Sequence, residues 1–430
     1  MFSRLHWLVM QLSRKVWLRV TALSLLGVVT ALIALPAKRY IPADLPAKIG
    51  ADAVGSLLTI IATSMLSVTI FSLSTMVSAF ASATSNTTPR ATHLLASDST
   101  AQNALATFLG AFLFSLVGII LLQTGLYGAG GRVVLYVVTL LVIVLIVVTL
   151  LRWIDYVLQL GRVGPTSERV EKTAAAAMRK RRDAPYLGGQ PGTDNPDPMP
   201  GAVTVKSAAM GYVQHIDIAA LQEAADAENL QIHVASLPGH FVGTSRPLAY
   251  VIGSPSSECL ETIRDGFTVG HTRSFDQDPR FGACVLSEIA SRALSPGVND
   301  PGTAIDVLSR GARVISLWSQ RHAADGDATE VAVKCPRVHV PPILAADLFD
   351  DFFTPIGRDG AGVVEVGIQL QKILEALALL GDATYRQAAQ RHSTQALARA
   401  EAALTLPQDI ERVRRAAVRV TLAAENRVDR

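Results

Sequence analysis

The chain has 430 residues, of which 50% are hydrophobic and only 17% are charged, and its formal net charge is +3. This composition is too apolar for an ordinary soluble protein and too charged for a protein built only of membrane spans. Lys and Arg outnumber Asp and Glu up to residue 160, and the two signs nearly balance beyond it. A nearly balanced second half argues against nucleic acid as a partner.

Four apolar segments are long enough to cross a bilayer, at residues 16–35, 53 to about 80, 104–126 and 133–151. Lys and Arg concentrate before the first segment and after the fourth, which predicts a multi-pass protein with both termini in the cytoplasm. Residues 36–38 (PAK) make a poor cleavage site, so we interpret the first segment as a retained helix and not as a signal peptide.

The second segment has an unusual pattern, because residues 53–88 contain no charged side chain and carry a hydroxyl group at helical spacing. A continuous helix here would be about 54 Å long, against a hydrocarbon core of roughly 30 Å. The hydroxyl residues share one face of such a helix, and we call this face the hydroxyl stripe: Ser56, Thr59, Thr63, Ser67, Ser74, Ser78, Ser82 and Ser85.

Two interpretations of the hydroxyl stripe remain open. Small hydroxyl residues that bond back to the preceding turn can form a packing face for other spans. Alternatively, several copies of the helix line an aqueous pore, and the two large apolar residues that interrupt the stripe narrow it as a hydrophobic constriction. The pore-lining hypothesis names these residues: Ser56, Thr59, Thr63, Ser67, Ile70, Phe71, Ser74 and Ser78.

The rest of the chain predicts a mixed domain. Residues 1–160 form the four-helix transmembrane domain, and residues 161–201 form a basic amphipathic helix followed by a Pro/Gly-rich linker. Alternating apolar residues predict a small β-rich module at 202–255, and residues 256–430 are mainly helical. The predicted fold is therefore a membrane α-helical domain followed by a cytoplasmic α+β domain.

The most specific local motif is ALSPGVNDPGTA at residues 293–304. Two prolines and two glycines fix a helix–helix corner, with Asn299 or Asp300 as a helix cap. The corner is either purely structural or a rigid ligand or subunit contact formed by Ser295, Asn299 and Asp300. Arg90, in the polar link after the second span, is either an anchor at a solvated turn or part of a charged ring at a pore mouth.

The same motif, with AMGYVQHID at 209–217, PGHFV at 238–242 and the four spans before them, resembles a bacterial family of predicted membrane proteins, domain of unknown function 2254. The resemblance covers nearly the whole chain. It implies a bacterial inner-membrane protein with a cytoplasmic tail, and it carries no catalytic residue over to this chain.

Catalytic and metal-binding patterns are weak. His215 and Asp217 share a strand face and could form an acid–base or metal cluster with other residues of the domain, namely His233, His240, Asp276, Asp278 and Glu288. No zincin, serine-hydrolase, P-loop or dinucleotide-binding motif occurs. The three cysteines are isolated from one another and from any histidine at ligand spacing. We therefore expect no enzymatic activity, cofactor or metal.

Two functions follow from these patterns. The first is a homo-oligomeric channel or pore with a cytoplasmic domain that assembles or gates it. The alternative is a membrane-anchored sensor or scaffold whose cytoplasmic domain binds a small molecule or a protein. The lipid bilayer is the partner that both hypotheses share.

Overall fold

The computed structural model describes residues 21, 25, 29, 51–96, 99–124, 128–194, 200–323 and 333–425. The chain divides into two compact units. The membrane unit comprises the described residues up to 85 and those of 92–165, and the C-terminal unit comprises residues 86–91 and the described residues from 166 onward.

The elements are numbered here in chain order. The helices are α1 (Ala51–Asn86), α2 (Pro89–Ala96), α3 (Ser99–Gln123), α4 (Gly128–Gln159), α5 (Val163–Asp183), α6 (Ile218–Ala227), α7 (Ser257–Asp265), α8 (Pro279–Ala293), α9 (Pro301–Ala323), α10 (Ala345–Asp359), α11 (Val364–Leu380), α12 (Ala383–Ala403) and α13 (Pro407–Glu425). The strands are β1 (Gly189–Pro191), β2 (Val203–Lys206), β3 (Gly211–Ile216), β4 (Gln231–Val234), β5 (Phe241–Val242), β6 (Pro247–Ile252), β7 (Phe267–Gly270) and β8 (Cys335–Val340).

Among its described residues, the membrane unit contains three helices that are long and apolar enough to span a bilayer, at Ala53–Ser85, Thr100–Gln123 and Gly131–Gln159. These correspond to the second, third and fourth predicted spans. The first predicted span, at residues 16–35, lies almost entirely outside the described residues, and the orientation of the termini stays a prediction. The three helices share one apolar core, which includes Leu58, Phe108 and Leu135.

Helix α1 is the long helix that the sequence predicts, with 36 residues, and it carries no charged side chain after Asp52. Its end agrees with the local chemistry, because Pro89 cannot donate a backbone hydrogen bond and disfavours a helical conformation at the residue before it. Thr87 and Thr88 fill the short break before α2 begins at Pro89, and both side chains are buried.

The C-terminal unit contains two sheets. The larger has the strand order β1-β8-β4-β6-β2, and the smaller has the order β5-β3-β7. β8 pairs in parallel with β1 and with β4. β6 pairs antiparallel with β4 and with β2. Helices α6 and α7 contribute Leu221 and Ile263 to the core of this module.

Two features of this module differ from the sequence-based expectation. The predicted linker at residues 183–201 contains β1, and Tyr186 and Leu187 pack against the sheet core. Gly189 permits this pairing, because a Cβ atom there would lie 2.5 Å from the carbonyl oxygen of Val338. In addition, β8 comes from within the predicted helical region and returns to the middle of the sheet.

The remaining helices, α8 to α13, pack into a bundle whose core is rich in aromatic side chains. Phe349, Phe352, Phe353 and Tyr385 are all nearly fully buried. The Tyr385 hydroxyl donates a 2.9 Å hydrogen bond to the carbonyl oxygen of Ile315, which connects α12 to α9. The mixed helical and sheet character predicted for the second half of the chain is confirmed.

Candidate functional site

The hydroxyl stripe lies on an exposed face of α1. All eight residues of the pore-lining hypothesis are exposed: Ser56, Thr59, Thr63, Ser67, Ile70, Phe71, Ser74 and Ser78. The two apolar members have large exposed fractions, 62% for Ile70 and 70% for Phe71. The stripe therefore does not pack against the described helices of its own chain.

The opposite face of α1 makes the contacts within the membrane unit. Val54, Leu58 and Met65 are buried and belong to the shared apolar core. At 3.6 residues per turn, these positions lie about half a turn around the helix from Ser56, Ser67 and Ser74. The helix thus has one side that packs on its own bundle and a hydroxyl-bearing side that points directly away from it.

The hydroxyl groups bond back to the preceding turn of their own helix. Thr59 donates to the carbonyl oxygen of Gly55 at 2.8 Å, Thr63 to that of Thr59 at 2.9 Å, and Ser67 to that of Thr63 at 3.1 Å. This is the local bonding that the packing interpretation predicts. Because each oxygen retains acceptor capacity, it does not prevent the same groups from contacting water.

Exposed apolar side chains flank the hydroxyl stripe. Leu66, Leu73 and Val77 lie along one edge of it by helical spacing, whereas Ile60 shares the angular position of Ser78 within it. Helix α4 contrasts with this pattern, because its large exposed side chains include Val137, Leu140, Leu141, Val144, Val147 and Leu151, all aliphatic. The exposed surface of α4 is typical of lipid contact, whereas that of α1 combines polar and apolar strips.

The corner that follows α1 is bonded to helix α8 within the C-terminal unit. The Thr88 hydroxyl donates a 2.8 Å hydrogen bond to Oε2 of Glu288, and the Arg90 guanidinium pairs with Oε1 of the same carboxylate. Thr88 is 5% exposed, whereas the Glu288 side chain is 32% exposed, so the bond is only partly shielded from water. The sequence identified Arg90 as a candidate contact and Glu288 as a carboxylate of a possible acid–base or metal cluster, but nothing in it paired these two residues, about 200 positions apart. A role for Arg90 at a pore mouth stays a prediction.

The ALSPGVNDPGTA corner is a tightly bonded turn between α8 and α9. Asn299 adopts a left-handed conformation with φ of 49°, and the Ser295 hydroxyl donates to the carbonyl oxygen of Arg292 at 2.7 Å. Asp300 accepts hydrogen bonds from the backbone N–H and hydroxyl of Thr303, and these bonds lower the pKa of its carboxyl group. The structure thus accounts for these residues locally, and their role as an interface stays a prediction.

The residues weighed for catalysis are spread over several local environments. Asp217 caps α6 by accepting the Ala220 N–H, and burial lowers the pKa of His215. The His233 ring stacks on that of His339, with centroids 4.3 Å apart. In the part of the chain that the structure describes, no group of three or more His, Cys, Asp or Glu side chains is arranged to hold a metal ion.

Comparisons with known proteins agree with the resemblance. Residues 13–376 match a family described as predicted membrane protein, DUF2254. Uncharacterized proteins of Mycobacterium bovis and of Mycobacterium tuberculosis strain H37Rv are each 31% identical over 136 residues, or 30% of this chain and 26% of the relative. The chain thus aligns with about a quarter of the length of these relatives, and no solved structure matches it. Because the family match covers most of the chain, the protein belongs to the DUF2254 family of predicted membrane proteins.

Proposed function

We propose that the protein assembles as a homo-oligomeric channel or pore whose path is lined by α1, with the C-terminal unit assembling or gating it. The observation that carries this proposal is the direction of the hydroxyl stripe, which points away from the described helices of the membrane unit. An exposed face of a membrane helix meets lipid, another protein or water. A stripe of hydroxyl groups is better suited to contact with another protein or with water than to contact with lipid.

The apolar flanks of the stripe support an oligomer. A pore-lining helix in a ring needs a polar strip toward the path and an apolar strip on each side toward the neighbouring copies. Leu66 and Leu73 supply such a strip on one side of the stripe. Three or four spans of one chain are too few to enclose a path, so the pore requires several copies.

The lack of charge in the first two described spans favours a passive path over coupled transport. No Asp, Glu, Lys or Arg occurs in the spans Ala53–Ser85 and Thr100–Gln123. Proton-coupled pumps and transporters depend on ionisable groups within the membrane. The proposal accordingly includes no enzymatic step and no cofactor.

The bond network at the corner supports a gating role for the C-terminal unit. Residues 86–91 follow α1 directly and belong to the same compact unit as α8. Thr88 and Arg90 both bond to Glu288 on α8. A displacement of α8 would therefore pull on the end of the pore-lining helix. The placement of both termini in the cytoplasm and of the protein in the inner membrane belongs to the same proposal and is supported by the Lys and Arg of the flanks.

The oligomeric state tests this proposal. We expect native mass spectrometry of the full chain, released from lipid nanodiscs, to give one closed assembly of more than two copies. Replacing Leu66 and Leu73 together by Asn should shift the population toward monomers, because these side chains would then contact neighbouring copies. The pair Leu140 and Val147 on α4 provides a matched control. A monomer or dimer for the unsubstituted protein would contradict the proposal.

A second candidate function is a membrane-anchored sensor whose C-terminal unit binds a small molecule. A specific observation favours it, since this unit contains a cavity of about 370 Å³. That volume lies within the range of small-molecule sites. A sensor domain and a channel are compatible, because ligand binding is a common means of gating.

A further inference from the structure

The cavity in the C-terminal unit is lined by several guanidinium groups, and we call it the arginine cavity. Arg181 at the end of α5, Arg246 before β6 and Arg280 on α8 all line it, together with His240. The residues that follow β8, Pro341 to Ile343, complete one part of the wall. Four separate elements of the fold thus converge on one concave site.

The arginines around this cavity differ in how their charge is balanced. Arg280 is held by Asp347 at 2.7 Å and by both oxygens of Asp351 at 2.7 and 3.2 Å. Arg246 instead contacts Nδ1 of His240 at 2.9 Å, and among the described residues no carboxylate lies within ion-pair distance of it. Its positive charge is therefore available to a ligand.

The pKa of His240 reflects the positive charges at this end of the cavity. Burial, and then the charges of Arg246, Arg280 and Arg273, lower the pKa of His240 to about 3. The ring is therefore neutral at physiological pH. Its Nδ1 accepts from the backbone N–H of Leu237 at 3.2 Å, so the proton of the neutral ring resides on Nε2 and can be donated. A positive field with a neutral donor is suited to an anion.

The turn that carries His240 is fixed by a buried ion pair. Asp278 accepts hydrogen bonds from Nε and Nη2 of Arg273 at 2.7 and 3.0 Å and caps α8 at the N–H of Phe281. Gly239 has φ of 95°, and a Cβ atom there would lie 2.3 Å from Oδ2 of Asp278. The turn can close on this carboxylate only because residue 239 is glycine. The turn that carries His240 is thus held in place before any ligand arrives, which favours binding.

The lining also contains hydrogen-bond acceptors. Asp194 and Asp347 contribute carboxyl groups. Burial, together with the neighbouring carboxylates, raises the pKa of Asp347 although Arg280 opposes this change. A ligand that fills the cavity would therefore meet donors around Arg246 and His240 and acceptors at the carboxyl groups.

We infer that the arginine cavity binds a small metabolite that carries a phosphate or carboxylate group and a hydroxyl group. The anionic group contacts Arg246 and the Nε2–H of His240, and the hydroxyl group donates to Asp194 or Asp347. The volume of about 370 Å³ accommodates a molecule of a few carbon atoms rather than a dinucleotide. This inference does not depend on whether α1 lines a pore.

Calorimetric titration of the full chain in detergent tests the inference. Glycerol 3-phosphate and malate serve as probes of the phosphate and carboxylate classes, and glycerol serves as the uncharged control. We expect one of the two anions to bind and glycerol not to bind. Binding of one anion and not the other identifies the chemical class, whereas no binding of either anion would overturn the inference.

The variant Arg246→Gln distinguishes anion binding in the arginine cavity from general attraction of anions to a basic surface. Arg246 is exposed, so the variant is expected to fold normally, and loss of the charged donor should weaken anion binding by about tenfold or more. Arg415→Gln is the matched control, because Arg415 is also an exposed arginine of the C-terminal unit, outside the cavity. Unchanged binding in Arg246→Gln, or equal weakening in both variants, would overturn the inference.

Discussion

Replacing both Ile70 and Phe71 by serine is expected to convert a mostly closed channel into one that conducts continuously. These side chains interrupt the hydroxyl stripe and are 62% and 70% exposed. In a ring of copies they would form a narrow apolar section that excludes water when the channel is closed. An increase of about tenfold in conducting events corresponds to a barrier lowered by about 1.4 kcal/mol. Planar-bilayer recordings of the reconstituted protein measure this change.

The control for this experiment is a serine pair on α4. Leu141 and Val144 are 64% and 60% exposed, which matches the first pair in exposure and in apolar character. We expect serine at these two positions to leave the conductance unchanged, because this face carries no hydroxyl stripe. A silent Ile70/Phe71 variant, in protein shown to be folded and reconstituted, would contradict the channel proposal.

The second large effect concerns the stability of the C-terminal unit. Asp278→Ala removes the partner of a largely buried arginine, Arg273, and also the cap of α8. Breaking a buried ion pair by deleting one partner costs roughly 3–5 kcal/mol, because the remaining charge loses its compensation. Cys259 and Cys335 are both buried in this unit, so they react with thiol reagents only when it unfolds. We expect this reaction to begin at a much lower urea concentration in the full-length variant.

The double variant with Arg273→Ala tests the mechanism behind this loss. Removing both charges avoids the uncompensated guanidinium, so Asp278→Ala/Arg273→Ala should be more stable than the sum of the two single changes predicts. If the loss of stability in the double variant equals the sum of the losses in the two single variants, Asp278 acts only as a helix cap. That result would contradict the account of the ion pair.

Helices could be predicted from the sequence where periodic apolar residues and a helix-ending residue occur in the same short segment. Helix α11 (Val364–Leu380) lies in the region predicted to be mainly helical, because its apolar residues recur at helical spacing and Gly381 follows directly. The length and end of α1 follow from an uncharged segment that stops before Pro89. Periodicity also identified the hydroxyl stripe as one face, but it could not show which side of α1 packs on its own bundle.

Long-range pairing could not be predicted in the same way. Strand β8 has six residues with a proline, and its partners β1 and β4 lie more than 90 positions earlier in the chain. Parallel pairing between such distant segments leaves no local turn signal. The linker at 183–201 looked structureless for the same reason, since β1 is only three residues long and is stabilised by its neighbour.

The arginine cavity was missed because its residues have no common spacing. Arg181, His240, Arg246 and Arg280 come from four elements, and each residue alone is an ordinary surface or helix-end residue. The Thr88–Glu288 bond was missed for the same reason, since it joins positions 200 residues apart. The two features meet on α8, where Asp278 and Arg280 lie at the first turn and Glu288 lies further along.

The most direct test of the central claim is whether the hydroxyl face of α1 meets water in a lipid bilayer. Cysteine introduced at Ser67, in the middle of the stripe, should react with a membrane-impermeant thiol reagent in proteoliposomes, and cysteine at Val144 on the aliphatic face of α4 should not. The unsubstituted protein gives the background from its own cysteines, two of which are buried. Rapid labelling at residue 67 with none at residue 144 is the result that the account predicts. Equal protection of both positions, in protein that is folded and correctly inserted, would contradict it.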